Sequence, residues 1–202
     1  MTRGVQVPPP KESIEILSIG HSNHTEEVFL ELLRATRVEV VADVRSVPIS
    51  AYCPHFNQER LRQSLDDAGI GYVILGDELG GRPDGDKYYD EDNRVRYDAV
   101  AESDLFRRGL ERLLEGAKKY RVAMMCSEGS PTHCHRHLLI SRVLEIDGIP
   151  VTHVLPDGNT RSAADILEAD RPAPTLFGQG EQPWISIQSV SRSTAPKSSS
   201  AS

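Results

Sequence analysis

The sequence has few cysteines and no long apolar run, and each shortage excludes a class of protein. The three cysteines among 202 residues are an odd number, which fits a reducing compartment better than a disulfide framework. No apolar run approaches the roughly 18 residues that a membrane-spanning helix needs. The first residues, MTRGVQVPPPKES, lack the apolar centre of a signal peptide. We therefore expect a cytoplasmic protein that does not enter a membrane.

Positive charge is also in short supply. The chain has 23 Lys and Arg residues against 30 Asp and Glu residues, a formal net charge of -7. This balance argues against a broad basic face for extensive nucleic-acid binding, because such binding neutralises many phosphates with Lys and Arg. It leaves room for local contact through a cluster of arginines.

The two ends of the chain differ from its middle in composition. Residues 1–12 contain the run VPPP and predict a disordered leader, and residues 171–202 form a Ser- and Pro-rich segment that predicts a mostly disordered tail. Residues 13–170 are expected to form a single domain, since this length is enough for one hydrophobic core. Trp184, in PWISIQ, either packs back on that domain or lies in a loose segment; the sequence favours neither.

Within the middle region, short apolar runs alternate with helical patterns. The runs IEILSIG, VEVVADV, GYVIL, VAMMC and VTHVL predict five strands. Helical spacing of apolar residues predicts helices at TEEVFLELLRAT, from Asn57 to Gly69, at DLFRRGLERLLEGA and at THCHRHLLISRVLEIDG. This alternation predicts an α/β fold: a mostly parallel sheet of about five strands with helices on both faces, a Rossmann-like three-layer domain.

Unusual polar residues follow four of the predicted strands. The segments are GHSNH, DVRSVP, DELGGRP and CSEG, in chain order. The carboxyl ends of parallel strands meet at one edge of a sheet, and ligands bind beyond that edge in open α/β folds. The sequence therefore predicts an active site there.

The first two segments supply candidate binding and catalytic groups. His21 and Asn23 offer hydrogen bonds to a base or a phosphate, although Asn23 is also placed to cap the next helix. Asp43 ends a buried strand, where a carboxylate serves as a general base or holds a hydroxyl. Arg45 has the planar fork that binds phosphate or carboxylate, unless the two residues simply pair with other charges.

The third segment predicts a turn with open backbone amides. Gly80 and Gly81 permit unusual backbone angles and leave N–H groups free for an anion. Arg82 follows directly. Together the three residues suit a phosphate cradle, while a plain loop is the common alternative.

The fourth segment contains the densest group of reactive side chains, and three chemistries compete for it. Cys126 at the strand end suits a catalytic thiolate, although Arg136 is placed too far along for the usual arginine-closed loop. A metal site would combine Cys126 and Cys134 with some of His133, His135 and His137, of which His133 and His137 are one helical turn apart. In a carboxylate mechanism Glu128 is catalytic, His135 and Arg136 bind the substrate, and both cysteines are structural. We favour the carboxylate mechanism, because a free cysteine is most often buried and inert.

The motifs form a familiar set. IGHSNHT, VVADVRSVP, PHFN, ELGGR, CSEGSPTHCHR and VTHVLPDG resemble the bacterial and archaeal family called domain of unknown function 488, from about Ile14 to Gly158. The resemblance implies an α/β domain with a polar pocket built from Asn23, Asp43, Arg45, Arg82, Cys126, Glu128, Cys134, His135 and Arg136. Family members often carry basic residues after the proline of the second motif, and PISAYCPHF has none.

These observations predict an enzyme that hydrolyses a nucleotide or a nucleic-acid-derived anion at an N-glycosidic or phosphoester bond. The expected catalytic groups are Glu128 and Asp43, and the expected ligand is a phosphate-containing small molecule or nucleotide. The alternatives are a thiol-dependent enzyme using Cys126 and a non-catalytic anion-binding module. We expect no cofactor, and the sequence leaves the oligomeric state open.

Overall fold

A computed structural model of the protein describes residues 14–169 and 184–187. The expected leader and most of the expected tail lie outside these described residues. Among them, no helix combines the length and the apolar character that crossing a membrane requires.

The strands form one sheet of six. They are β1 (Ile16–Gly20), β2 (Val40–Asp43), β3 (Gly71–Ile74), β4 (Val122–Cys126), β5 (Val151–Val154) and β6 (Thr160–Ser162). Their order across the sheet is β3-β2-β4-β1-β5-β6. All neighbouring pairs are parallel except β5 and β6. The expected α/β fold with a mostly parallel sheet is confirmed, and β6 is an additional antiparallel edge strand.

Seven α-helices connect and cover the strands in the described part of the chain. They are α1 (Glu26–Ala35), α2 (Gln58–Asp67), α3 (Gly76–Leu79), α4 (Tyr97–Ala101), α5 (Asp104–Ala117), α6 (Arg142–Ile146) and α7 (Ala163–Ala169). Helix α1 begins after Thr25, whose hydroxyl accepts a hydrogen bond from the Val28 N–H. The capping residue of α1 is therefore Thr25 and not Asn23.

The sheet is buried on both faces because its strands alternate between two apolar clusters. In β4, Met124 belongs to one cluster and Met125 to the other. Helices α1 and α2 pack on the Met125 side, whereas α5 and α6 pack on the Met124 side. This arrangement is the expected one, with helices on both faces.

The strand order creates a crevice beside β4. The chain leaves β1 and β2 towards the α1 and α2 face, and it leaves β4 towards the α5 and α6 face. Neighbouring strands whose connections depart to opposite faces leave a gap at their carboxyl ends, where ligands bind. The order differs from the 3-2-1-4-5-6 order of dinucleotide-binding Rossmann folds, because β4 lies between β2 and β1.

Trp184 packs on the domain and does not lie in a loose segment, which decides between the two interpretations of PWISIQ. Its indole N–H donates to the Leu138 carbonyl at 2.6 Å, and its own carbonyl accepts from the Tyr97 N–H at 2.8 Å. The guanidinium of Arg142 lies 4.7 Å from the centre of the ring.

The helix predicted from Thr132 onwards is interrupted. Pro131–His133 form a single 3₁₀ turn, and Cys134 then has an extended backbone with φ -114° and ψ 140°. A π-helical turn, Arg136–Ser141, follows and leads into α6. The extended backbone at Cys134 means that this residue precedes the helix and does not lie in its first turn.

Candidate functional site

Three potential ligand side chains meet at the end of β4. Cys126 is the last residue of the strand, and both Cys126 and Cys134 are buried. The Nδ1 atom of His135 lies 3.7 Å from the Sγ of Cys126 and 3.7 Å from the Sγ of Cys134. All three ligand atoms lie within 4.8 Å of one another.

The imidazole of His135 is held in one tautomer by the neighbouring strand. Its Nε2–H donates to the backbone carbonyl of Val44 at 3.0 Å, directly after β2. The other nitrogen, Nδ1, therefore carries a lone pair that faces both sulfur atoms. Gly81 packs against the ring so closely that an added Cβ would lie 2.8 Å from it. One of the two adjacent glycines thus makes room for His135.

The surroundings shift the pKa values of the two thiols in opposite directions. The hydrogen bond with Cys134, followed by burial, raises the pKa of Cys126. Burial opposes ionisation of Cys134 as well. The hydrogen bond from Cys126, together with the charge and the backbone N–H of Arg136, nevertheless lowers the pKa of Cys134 to about 7. Ionisation is therefore favoured at Cys134 over Cys126.

Arg136 fixes the loop that follows β4. Its side chain is fully buried, and its two terminal nitrogens donate to the carbonyls of Glu128 at 2.5 Å and Gly129 at 2.9 Å. The Nε–H has no partner among the described residues. This guanidinium, predicted to bind an anion, is engaged with the backbone of its own chain.

Glu128 presents its side chain to solvent from this fixed loop. The residue is exposed, and its carboxylate has no hydrogen-bond or ion-pair partner in the part of the chain that is described. Its backbone is held closely, because a Cβ added at Gly20 would lie 1.8 Å from the Glu128 carbonyl oxygen. The end of β1 and the loop after β4 therefore touch at this point, across the crevice.

Asp43 and Arg45 form a buried ion pair. Nη2 of Arg45 lies 2.6 Å from Oδ2 of Asp43, and Nε lies 2.9 Å from Oδ1. The hydroxyl of Tyr72 donates to the same carboxylate at 2.6 Å. Burial, and next the negative charge of Asp43, raise the pKa of Tyr72. Arg45 also donates to the carbonyl of Phe56 at 2.9 Å, so the pair holds the loop after β2.

His21 is buried in the same region. Its ring stacks on Phe56 with a centroid separation of 4.3 Å. Nδ1–H donates to the Ser22 carbonyl at 2.8 Å, which leaves Nε2 as the acceptor for an N–H of Arg45 at 3.3 Å. Burial is the main reason that the pKa of His21 falls to about 4, and the positive charge of Arg45 acts in the same direction.

Asn23 is exposed and lies at an open cleft at the start of α1. The cleft has a volume of about 390 Å³ and is lined by Asn23, His24, Thr25, Glu26, Glu27, Pro54, His55 and Arg60. Ser22 connects the cleft with the loop after β4, because a Cβ added at Gly129 would lie 2.9 Å from the Ser22 hydroxyl oxygen. A volume of this size is within the usual range for small-molecule sites.

Arg82 is exposed beside the cysteine and histidine cluster. Its backbone N–H donates to the Ser46 hydroxyl at 2.9 Å, and its guanidinium has no partner among the described residues. Gly80 is buried against Gly76 and Ser46, where an added Cβ would lie 2.3 Å from the hydroxyl. The two glycines pack the loop tightly, and Arg82 emerges from it.

The predicted site residues thus fall into buried and accessible groups. The buried groups are the Asp43–Arg45 pair with His21, and Cys126, Cys134 and Arg136 with half-buried His135. The accessible charged groups are Glu128 and Arg82. Of the three histidines considered for a metal site, His135 lies at the two cysteines. His133 is exposed, and His137 is buried with its Nδ1 2.9 Å from Nε2 of His153.

Sequence reasoning missed several contributors to these groups. Tyr72 and the carbonyl of Val44 belong to apolar runs, and nothing in a run shows which of its members touches a polar neighbour. Phe56 lies in the motif PHFN, whose residue types do not show that its ring stacks on His21. His24 and His55, which line the cleft, had a weak signal: each is adjacent to a motif residue, and Nε2–H of His55 donates to the His24 carbonyl at 2.8 Å.

The chain matches the model of a protein family. Comparison with curated proteins found no match, and comparison with solved structures found no match. Residues 25–143, more than half of the chain, match the family described as Domain of unknown function DUF488. This match covers the ion pair and the cysteine and histidine cluster, and it covers the cleft lining except Asn23 and His24, which lie just before it. The chain therefore belongs to the DUF488 family, as its motifs predicted.

Proposed function

We propose that this protein is a hydrolase that acts on a nucleotide or a nucleic-acid-derived anionic substrate at the carboxyl edge of its sheet. Glu128 is the general base that activates water at an N-glycosidic or phosphoester bond. The observation that carries the proposal is the state of this carboxylate: it is exposed and has no partner within residues 14–169 and 184–187, yet it stands on a loop that is held by backbone contacts.

Rigid placement matters because a general base must reach the proton that it removes. Arg136 binds the carbonyls of Glu128 and Gly129, and Gly20 closes on the Glu128 carbonyl from the next strand. The backbone is therefore fixed on two sides, and only the side chain of Glu128 moves. The crevice between β4 and β1 places it where open α/β sheets bind their ligands.

Asp43 is less suited to the role of base. Its carboxylate accepts hydrogen bonds from Arg45 and Tyr72 and is fully buried. A carboxylate engaged in this way is screened from substrate. We assign it a positioning role, in which it holds Arg45 and, through the Phe56 carbonyl, the wall next to the cleft.

Arg82 supports an anionic substrate. Among the three arginines predicted to bind phosphate, it is the one whose guanidinium is exposed and has no partner in the described part of the chain, whereas Arg45 and Arg136 are engaged. Planar guanidinium groups bind phosphate through two parallel hydrogen bonds. Arg82 follows Gly81, which packs on His135 at the same edge.

The cleft at the start of α1 fits the uncharged part of such a substrate. Its lining combines the amide of Asn23, the imidazoles of His24 and His55, and the carboxylates of Glu26 and Glu27. Arg60, which also lines the cleft, lies 3.5 Å from Glu26, so the two carboxylates outnumber this single guanidinium and disfavour a phosphate there. The amide and the rings suit a base or sugar hydroxyls. The substrate would thus extend from the cleft, past Ser22, to Glu128.

The proposal is tested by comparing two matched variants. Wild-type protein is incubated with nucleosides, nucleotides and short single-stranded oligonucleotides, and release of free base and of phosphate is measured. Glu128→Gln should lower kcat by about 10² or more, since it removes the base and keeps the shape of the side chain. Glu111→Gln, an exposed change on α5, is the control and should leave kcat unchanged.

Two results would contradict the proposal. Equal turnover by Glu128→Gln and wild type would show that this carboxylate does not take part. Binding of a panel member without any turnover by wild type would favour the anion-binding module instead.

A further inference from the structure

We propose that Cys126, Cys134 and His135 form a binding site for a zinc-class transition-metal ion. The proposal concerns buried side chains that the hydrolytic role of Glu128 does not use. It is tested without substrate, so it stands or falls separately from the proposed function.

The two sulfur-to-nitrogen separations are close to those that such an ion imposes. Zinc bonds of about 2.3 Å to sulfur and about 2.0–2.1 Å to nitrogen, at tetrahedral angles, place sulfur and nitrogen about 3.6 Å apart. The observed distances from Nδ1 of His135 to the two Sγ atoms are both 3.7 Å. The whole set lies within 4.8 Å. An ion placed among these atoms would require only small shifts of the side chains.

The histidine is oriented as a metal ligand. Its Nε2–H donates to the Val44 carbonyl at 3.0 Å, which leaves Nδ1 unprotonated and facing the sulfur atoms. A ligating imidazole characteristically donates its other N–H to a backbone carbonyl or a carboxylate, because this contact fixes the tautomer and the orientation of the ring. Gly81, packed on the ring, restricts the orientation further.

The ligands come from elements that hold them in place. Cys126 ends the central strand β4, and Cys134 and His135 stand where the extended backbone enters the π-helical turn. The extended conformation of Cys134 brings its sulfur to the cluster, which a helix continuing from Thr132 would not do. The helix must be interrupted at Cys134 for its sulfur to reach Cys126 at the end of β4.

The donor set selects the class of metal. Two thiolates and an imidazole suit zinc and similar soft ions, whereas magnesium and calcium take oxygen ligands. Three protein ligands leave a fourth position, as in catalytic zinc sites that hold water. His135 is partly exposed, so the fourth position can be reached from the carboxyl edge of the sheet.

The test uses cobalt as a spectroscopic substitute for zinc. Reduced, metal-free full-length protein is titrated with Co²⁺ under anaerobic conditions. We expect one equivalent to bind, with thiolate-to-cobalt charge-transfer absorption and the visible bands of a tetrahedral ion. Zinc should then displace the cobalt and bleach the spectrum.

Matched substitutions assign the ligands. Cys126→Ser and Cys134→Ser should each weaken cobalt binding by more than about 100-fold, since changes at groups that only support ligands already weaken it 10–100-fold. Cys53→Ser is the control: this half-buried cysteine donates to the Ser22 carbonyl and should leave the titration unchanged. His133→Gln is the corresponding control for His135→Gln.

A measurement on the unaltered chain covers the case in which a variant does not fold. In moderate urea that opens the metal-free protein enough for Cys126 and Cys134 to react, zinc should slow the alkylation of these two buried thiols and leave that of Cys53 unchanged, as read by peptide mass spectrometry. The proposal is overturned if cobalt gives no charge-transfer band, if the Cys53→Ser variant loses binding as much as the others, or if zinc protects none of the three thiols.

Discussion

At the scale of single residues, His21 shows how a buried side chain can be committed to one protonation state. Its Nδ1–H donates to the Ser22 carbonyl, and its Nε2 accepts from Arg45. A second proton, on Nε2, would point at an N–H group and at a positive charge. Protonation therefore breaks the contact between His21 and Arg45, and this contact helps to hold the loop after β2.

We predict that the protein loses stability as the pH falls from about 6.5 to about 4. The pKa of His21 is 6.5 in its ordinary state and about 4 in the fold. Its contribution is fully present above pH 6.5 and lost as the pH falls, because the unfolded chain takes up the proton first. A shift of this size corresponds to roughly 3 kcal/mol. Burial lowers the pKa of His153 to about 2, which adds to the effect.

Urea unfolding at several pH values measures this prediction. His21→Asn retains a donor near Nδ1 and does not titrate, so its free energy of unfolding should depend less on pH than that of wild type. His133→Gln changes an exposed histidine and should follow wild type. Identical pH slopes for His21→Asn and wild type would contradict the assignment.

The sequence predicted that the candidate site residues lie at the carboxyl edge of the sheet better than it predicted which groups their side chains contact. Asp43 and Arg45 stood out because charges rarely end a buried strand, and both lie at the expected edge. Their pairing with each other, and with Tyr72 from β3, depends on contacts between strands that the sequence does not reveal. The same holds for Arg136, whose partners are backbone carbonyls and leave no trace in residue type.

At the scale of elements, the long periodic segments were predictable and the short ones were not. The five apolar runs became β1 to β5: β1, β2, β4 and β5 are largely buried, and β3 is a half-buried edge strand. Strand β6 has three polar residues, Thr160–Ser162, and pairs with β5 through backbone hydrogen bonds alone. The break at Cys134 was hidden because its neighbours keep helical spacing. Local patterns report periodicity, whereas these features depend on tertiary contacts.

The junction between β1 and the loop after β4 provides a prediction at this scale. Gly20→Ala should destabilise the protein by several kcal/mol and displace Glu128, because the new Cβ would lie 1.8 Å from a backbone oxygen. In α5, Gly116→Ala meets only the Val122 side chain at 3.8 Å. It should raise stability by about 0.5–1 kcal/mol, since alanine favours helix over glycine.

Chemical unfolding of both glycine variants checks the pair. Opposite changes in the free energy of unfolding are expected from the same Gly→Ala substitution. A Gly20→Ala protein as stable as wild type would show that the strand end and the loop are not in contact as described, and it would remove one support for the fixed position of Glu128.

At the scale of the whole molecule, the strand order explains why the polar segments lie at one edge. Every strand from β1 to β5 runs in the same direction, so the residues that follow them emerge together. The gap beside β4 arises because connections leave towards opposite faces. The sequence predicted the edge from the alternation of strands and helices, but it did not predict that β4 lies between β2 and β1.

The charge of the whole molecule makes Arg82 the central group for substrate binding. The protein carries a net charge of -7, so an anion approaching it is repelled except where a cation is exposed. Arg82 is such a cation at the carboxyl edge, and its guanidinium has no partner within the described residues. Binding of an anionic substrate at this edge is the claim on which the proposed hydrolysis rests.

Thermal unfolding with added ligand tests that claim most directly. Inorganic phosphate, the ribonucleoside monophosphates and short oligonucleotides are each added to wild type, Arg82→Ala and the exposed control Arg107→Ala on α5. A ligand present at about ten times its Kd should raise Tm by roughly 3–6 °C in wild type and the control, less so with added chloride. We predict that Arg82→Ala loses this shift. An undiminished shift in Arg82→Ala, or no shift in wild type with any ligand, would contradict the account.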